Sequence, residues 1–569
     1  MVAVNQFSGG LAGIDVSPPV ALLQTTAYPI ARSSAIIGGI GPAADYARAA
    51  VATAGIAAVP AALPVQIPTA ALRKRAWLKR TLECLPAAIA FFVISALIWG
   101  PIFAPVPFAV CILSFHAYWL WRAQMTGIHA FKGYRLLKKY ANVDWRERYD
   151  QDLAAGVTSL PWGAIRHIVI IPNYTESAEK LRMCLDSLCH GEDPSKIVAV
   201  LAMEEREGRN ARLKADQLRR TYSGRLGRVM ATFHPWGIPG EVAGKSSNEN
   251  WAARRAKEQL IDREGGTLDH YTITSCDVDT VFDRKYFSCL TYNFATHTQR
   301  YRRFWQGPIQ YYNNIWQVPA PARLPHALAG LNHLGRLSRG FLRMNFPQST
   351  YSLSLRMADE VGYWDPDIIP EDWHMFLKCY YHLNAEVDVE TMYTPVYMDG
   401  IRSKTYMRTF INYFEQNRRH AWGCTDIPYA VQLAIDQKSM PLWPRVRRVW
   451  ALCESHFLWS TQWFLVTMGR LVPVLLTSIG IASMPDWFQP ISHWLLMPCA
   501  GTLLLLLTLD ALMRPKRPRD FSIWLYPFQY GQWFAMAVIA FFTTALPALD
   551  AQVRLAIGKR MEYKVTEKA

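Results

Sequence analysis

The sequence has no CxxC pair and no close grouping of cysteine with histidine. Its ten cysteines are scattered at 84, 111, 184, 189, 276, 289, 379, 424, 453 and 499, which argues against a zinc site and against a disulfide scaffold. They read as reduced thiols of a core or a membrane segment, so the main domain is expected in the cytosol. Charge is sparse as well, at 19% of 569 residues. No basic stretch opens the chain and the first strongly apolar run lies far inside, which argues against a secretory signal peptide. Residues 1–72 have few charges and no apolar period, and their Ala, Pro, Gly and Val content is that of a flexible tail. A P-loop is missing too. In the nearest candidate Gly240 stands one residue too close to Gly244 and Lys245, which argues against an ATPase.

What the chain does have is apolar surface. Apolar residues make up 51% and aromatics 13%, above the usual globular mix, and the formal charge is +16. That balance suits anionic lipid headgroups or nucleotide diphosphates. It would suit nucleic acid equally, but the motifs below point away from nucleic acid. Residues 85–99 and 102–121 contain no Lys, Arg, Asp or Glu and read as a transmembrane hairpin over 81–121. Basic flanks on both sides predict cytosolic ends. An interfacial helix and linker follow over 122–164, with aromatics and cations interleaved at 128–140. Beyond an interfacial helix at 436–455, the apolar runs 456–483 and 491–513 predict two more crossings within 456–513. A third run, 523–547, lies between the basic "RPKRPRD" and a basic tail and contains Pro527, Gln529, Gln532 and Pro547. It is expected to lie along the cytosolic interface within 521–550, leaving four membrane helices and a cytosolic end at 551–569. The chain is thus expected to be an integral protein of a plasma or inner membrane, with a cytosolic catalytic domain.

Between the apolar regions the period changes. "HIVIIP", "KIVAVLAM", "RVMATFH" and "HYTITSC" are short β-rich runs separated by helical patterns such as 178–189, where Leu181, Cys184, Leu185 and Leu188 share one face. This alternation over 165–435 predicts an α/β domain with a mostly parallel, Rossmann-like sheet inserted between transmembrane helices. Ligands of such sheets bind beyond the carboxyl ends of the strands.

Five motifs could carry chemistry there. "PNYTE" at 172–176 follows the first strand, where Tyr174 could face a nucleobase and Glu176 its donors; a proline-bearing turn is the plain alternative. Lys245, near the start of a helix, suits a diphosphate. Asp277 and Asp279 in "SCDVDT" follow a strand and could bind one divalent ion that also bridges diphosphate oxygens. Asp372 in "PEDWHMF" could serve as a general base, or Glu371 and Asp372 could simply open a helix. In "EQNRRHAWG", Gln416, Arg419 and Trp422 could hold a sugar and a phosphate, or form a basic helix on headgroups.

In this order the motifs resemble those of the membrane-embedded family 2 glycosyltransferases, the group of the cellulose, chitin and hyaluronan synthases. The resemblance covers roughly residue 81 to the end and implies a GT-A catalytic domain. It aligns Pro172, Tyr174 and Glu176 with a P-x-Y-N-E-like turn and "GKSSN" with the family's lysine stretch. It makes Asp279 the expected metal ligand beside Asp277, and Asp372 the base. Glu204 or Glu205 would stand for the family's uracil-binding Asp. Q-x-x-R-W is matched at Gln416 and Arg419, but its Trp position is His420 and the nearest indole is Trp422. "YKVTEK" resembles the gating loop F-x-V-T-x-K, which implies that Tyr563, Thr566 and Lys568 close over the nucleotide.

The resemblance implies an inverting transferase that uses a UDP-sugar with Mg²⁺ or Mn²⁺, extends a β-glycan and feeds it through its membrane helices. Transfer of a single sugar to a lipid acceptor is the first alternative. A transporter or membrane anchor with a regulatory α/β domain is the second.

Overall fold

The computed structural model describes residues 76–561 except 340–343, 520, 526 and 528–530. Tyr563, Thr566 and Lys568 lie outside the described residues. Two long helices open the described chain, α1 (Ala76–Phe103) and α2 (Pro105–Ala141). The α/β domain then runs β1 (Arg166–Asn173), α3 (Ala178–Cys189), β2 (Ile197–Glu204), α4 (Arg209–Tyr222), β3 (Arg228–His234), α5 (Lys245–Lys257) and β4 (Tyr271–Ser275). It continues with β5 (Val281–Phe282), α6 (Tyr286–Thr296), β6 (Arg303–Gln306), β7 (Ile309–Gln310), α7 (Ala320–Leu337), β8 (Tyr351–Ser354), α8 (Glu371–His382), β9 (Asp388–Thr391) and β10 (Val396–Tyr397). The helices α9 (Tyr406–Ala421), α10 (Asp426–Asp436), α11 (Leu442–Trp463), α12 (Phe488–Met513) and α13 (Leu546–Ala556) follow.

The four β-rich runs are the strands β1 to β4, as expected. The main sheet has the order β3-β2-β1-β4-β8-β6-β9, and β3, β2, β1 and β4 pair in parallel. Each strand has a two-residue period with both faces apolar, so each face needs its own cover. Ile168, Ile170, Val198, Val200 and Ile273 point into one core with Ala252, Ala253 and Ala256 of α5. Val169, Ile171, Ala199 and Leu201 point into the other with Leu181, Cys184, Leu185 and Leu188 of α3. The chain builds β1, β2 and β3 outward to one side and then returns to place β4 on the other side of β1. This opens a crevice at the carboxyl ends of β1 and β4.

The chain breaks between α1 and α2 at Ala104, which has φ −146° and ψ 61°. Proline begins α2, where its missing N–H costs nothing. The helix spans 37 residues, roughly 55 Å at the α-helical rise, so the interfacial stretch 128–140 is the basic half of one continuous helix. A stripe of small residues lets α2 approach its neighbours closely. Gly127 faces Thr502 of α12, and Gly133 faces Leu334 of α7.

By length and composition three helical stretches among the described residues could cross a membrane: Ala76–Phe103, Phe488–Met513 and Trp533–Ala556. The last overlaps the segment expected to lie along the interface. It is also tied to the α/β side of the molecule, through Arg418 to Asp550 at 2.9 Å and through Asn417 Nδ2 donating to the Thr543 carbonyl at 2.6 Å.

A Cβ at Gly133 would stand 2.5 Å from Ser338 Oγ and 2.7 Å from Leu334 Cδ1. Gly133→Leu is therefore expected to destabilise the protein by about 1–3 kcal/mol, whereas Gly163→Ala, with nothing within 4 Å, should be silent. Thermal unfolding of the detergent-purified protein checks both.

Candidate active site

The crevice between β1 and β4 gathers the acidic motif, the lysine and the expected base. β4 ends at Ser275, and Asp277 and Asp279 follow in a turn in which the Thr280 amide donates to the Asp277 carbonyl at 3.0 Å. Lys245 is the first residue of α5, preceded by Gly244, and the Ser247 hydroxyl accepts from the Gly244 amide at 3.3 Å. Asp372 is the second residue of α8.

Ser349 joins these three elements. Its hydroxyl donates to Asp277 Oδ2 at 2.5 Å, its amide donates to Asp372 Oδ2 at 3.2 Å, and its carbonyl accepts from Lys245 Nζ at 3.0 Å. Its φ is +53°, the left-handed region that non-glycine residues seldom occupy and that often marks a functional site. Ser349 lies in an irregular segment just before β8, and no sequence pattern singles it out.

Lys245 stands among three carboxylates: 2.7 Å from Glu371, 2.9 Å from Asp277 and 3.8 Å from Glu249. Burial alone would lower its pKa, but Asp277, Glu371 and Glu249 together raise it well above the usual lysine value. Glu249 is fully buried and accepts from Ser275 Oγ at 2.6 Å. Burial pushes its pKa far up against the pull of Lys245. Asp372 is raised to about 7, first by burial and then by neighbouring Glu371, against the Ser349 and Trp373 amides and Lys245. Asp279 is 2% exposed, and its Oδ2 accepts from the Asp399 amide at 3.0 Å. The Asp399 carboxylate in turn pairs with Lys180. Among the described residues no three His, Cys, Asp or Glu side chains are grouped to hold an ion by themselves.

A buried ion cluster fixes α8. His374 bridges Asp426 of α10 at 2.6 Å and Asp365 at 3.0 Å, and Lys378 reaches Asp365 at 2.6 Å. Burial would lower the His374 pKa, but the two carboxylates outweigh it and raise it to about 10. His374 thus stays charged and anchors the helix two residues beyond Asp372.

The nucleobase candidates stand at the ends of β1 and β2. Glu176 turns back on its own loop, with Oε2 accepting from the Tyr174 amide at 2.9 Å and from Asn173 Nδ2 at 3.2 Å. Pro172 and Tyr174 are half-buried. The guanidinium carbon of Arg206 lies 3.9 Å from the Tyr174 ring centre and 5.3 Å from that of Trp236. Glu204 is buried between Arg206 at 3.3 Å and His234 at 3.5 Å, whereas Glu205 is exposed and pairs with Arg212 at 3.1 Å. On α9, Gln416 and Arg419 are half-buried. Trp422 lies just past the end of that helix and is 7% exposed, in the core that also holds Met375, Cys424 and Ile427. Its indole is therefore packed inside the protein and does not stand on an open groove. In the aromatic run at 302–317, Phe304, Trp305 and Tyr312 are likewise core residues.

The His374 cluster yields a stability prediction. Its folded pKa of about 10 exceeds the ordinary 6.5, so its contribution is fully present below about pH 6.5 and is lost as pH rises through about 10. His374→Gln leaves two carboxylates facing each other and is expected to cost about 3–5 kcal/mol. Unfolding curves from pH 6 to 10.5 should show the wild type converging on the variant at the alkaline end.

Residues 272–546, just under half of the chain, match the family described as glycosyl transferase family group 2. No curated protein matches. Among solved structures, the mannosyltransferase PcManGT from Pyrobaculum calidifontis, in complex with GDP-Man and Mn²⁺, is similar at 14% identity over 79% of this chain and 100% of that one, with a TM-score of 0.37. GalNAc-T7, with UDP, GalNAc and Mn²⁺, is similar at 10% identity, covering 52% of this chain and 58% of its own, with a TM-score of 0.31. S. aureus TarS is similar at 12% identity, 63% and 57% coverage and a TM-score of 0.26. The matched span runs from β4 through the acidic turn and α8 to the start of α13, and on that likeness to glycosyl transferase family group 2 the protein is a glycosyltransferase.

Proposed function

We propose that this protein moves a sugar from a UDP-linked donor to an acceptor hydroxyl at the cytosolic face of a membrane, by one inverting displacement. The observation that carries the reading is the meeting of Asp277, Lys245 and Asp372 on Ser349 at the end of β4. In the reaction the acceptor oxygen attacks the anomeric carbon from the side opposite the diphosphate. The bond from that carbon to the diphosphate oxygen breaks, the nucleotide diphosphate leaves, and the hydroxyl proton passes to the Asp372 carboxylate.

Asp279 and Asp277 supply hard carboxylate oxygens of the kind Mg²⁺ and Mn²⁺ take. With no third protein carboxylate grouped with them, the remaining ligands would be diphosphate and water oxygens. The ion, when bound, neutralises charge on the leaving diphosphate. Lys245 turns from Asp277 and Glu371 toward the same phosphates. Pro172, Tyr174 and Glu176, with Glu204 or Glu205, hold the uracil end, and Arg206 stacked on Tyr174 adds a cation to that surface. Gln416 and Arg419 shape the acceptor side, without the core-packed Trp422. In this reading Tyr563, Thr566 and Lys568 close over the nucleotide. The acceptor is a growing β-glycan or a membrane lipid.

Three outcomes test the reading. Purified protein offered a panel of nucleotide sugars should release UDP with Mg²⁺ or Mn²⁺ and stop on chelation; turnover that survives chelation removes the metal assignment. Asp372→Asn should lower transfer by about 10²–10⁴-fold with donor affinity largely kept, and an unimpaired variant would be evidence for a non-enzymatic role. Because the base works deprotonated, the rate should climb as pH passes through about 7 and level off above it. A flat profile from pH 5.5 to 8.5 would dissociate Asp372 from the proton transfer.

A further inference from the structure

A second charged cluster lies beyond Asp372, where α7 packs against α2. Asp372 is followed by Trp373, whose ring stacks on Phe346 with centres 4.6 Å apart. The Arg336 guanidinium of α7 lies 5.9 Å from the Trp373 ring centre. Beyond it, Arg122 of α2 pairs with Glu454 of α11 at 2.6 Å, and Tyr118 also bonds to Glu454. Arg339 Nη2 donates to Thr126 Oγ1 of α2 at 3.3 Å, while its buried Nε has no partner among the described residues. Arg336 has no ion pair or hydrogen bond from its side chain among the described residues. Burial, and then Arg122 and Arg339 nearby, lower its pKa to about 10. Three guanidiniums thus face two carboxylates, Glu454, which pairs with Arg122, and Asp372, which acts on Arg336 from a distance, an imbalance that an anion would relieve.

The depth of the cluster indicates which anion. Arg122 is the first charge after the uncharged run 102–121, and Glu454 stands two residues before the apolar run that begins at 456. Tyr118 and Trp121 flank it as aromatics do at headgroup level. The anion met at that depth is the lipid phosphate, and guanidinium forks match its geometry.

We infer that the acceptor is a phosphate-bearing membrane lipid, its phosphate held by Arg336 and Arg339 and its hydroxyl brought past Trp373 to Asp372. The inference rests on Asp372 acting as the acceptor base. It selects the lipid over the glycan, and it places at the membrane boundary a specificity site separate from the nucleotide crevice.

The test uses the full-length protein in detergent, with phosphatidylglycerol and diacylglycerol as probes, since both present hydroxyls and only one carries phosphate. Native mass spectrometry should show about tenfold preferential retention of phosphatidylglycerol. That preference should vanish in Arg336→Gln and Arg339→Gln and be largely kept in Arg336→Lys. Equal retention of the two lipids, or a preference unchanged in both glutamine variants, overturns the inference. In the transfer assay, labelled sugar from the donor panel is expected on phosphatidylglycerol. Equal labelling of diacylglycerol, or preferred labelling of a glucuronic-acid oligosaccharide, overturns the lipid phosphate while leaving the glycosyltransferase reading intact. Selective retention with no labelling of any acceptor under any donor overturns the acceptor assignment together with the reading of Asp372 on which it rests.

Discussion

One ammonium group holds the candidate site together. Lys245 lies within 2.7–3.8 Å of Glu371, Asp277 and Glu249, three carboxylates on three different segments. Without a cation between them they would repel across a buried space where charges are weakly screened. The lysine accordingly orients Asp277 in the turn after β4 and Glu371 at the start of α8, and Asp372 follows directly from Glu371. With Glu249 pushed toward its neutral form by burial, Asp277 and Glu371 still outnumber the one positive charge, which suits a place where a cation and a diphosphate would enter together.

That arrangement requires β4 beside β1. Because the parallel strands run β3-β2-β1-β4, the carboxyl ends of β1 and β4 lie side by side, and there the starts of α5 and α8 meet the acidic turn through Lys245. The His374 cluster fixes α8 from behind, through Asp365 and Asp426. Burying a charged histidine is expensive unless both of its nitrogens find carboxylates, so the cluster also fixes α10 against α8. The Asp372 carboxylate thereby sits at a helix start held from two sides, and burial, with neighbouring Glu371, raises its pKa to about 7.

Much of this was legible in the sequence wherever a local pattern carried it. The four strands show as β-branched runs and α3 as an amphipathic period, because such patterns state which faces must be buried. Asp277, Asp279, Lys245 and Asp372 stand out because each follows a strand or opens a helix. Ser349 does not, because its role comes from a backbone turned to positive φ in a segment without period. Glu371 reads as an ordinary helix-start acid, and Glu249 carries no pattern of its own, until the fold brings both to one lysine. Arg206 over Tyr174 and the guanidiniums of α2 and α7 are likewise pairings between distant segments.

By itself the sequence determined the alternation of strand and helix, the apolar helices and the candidate residues, since these depend on composition and period over neighbouring positions. Only the tertiary structure decided that 128–140 continues α2 against α7, that Trp422 is enclosed in the core, and that Arg336 faces Trp373. The physical reason is that close packing and charge balance are properties of segments far apart in the chain, and Gly133, Lys245 and Arg336 acquire their meaning from what the fold sets within a few ångströms of them.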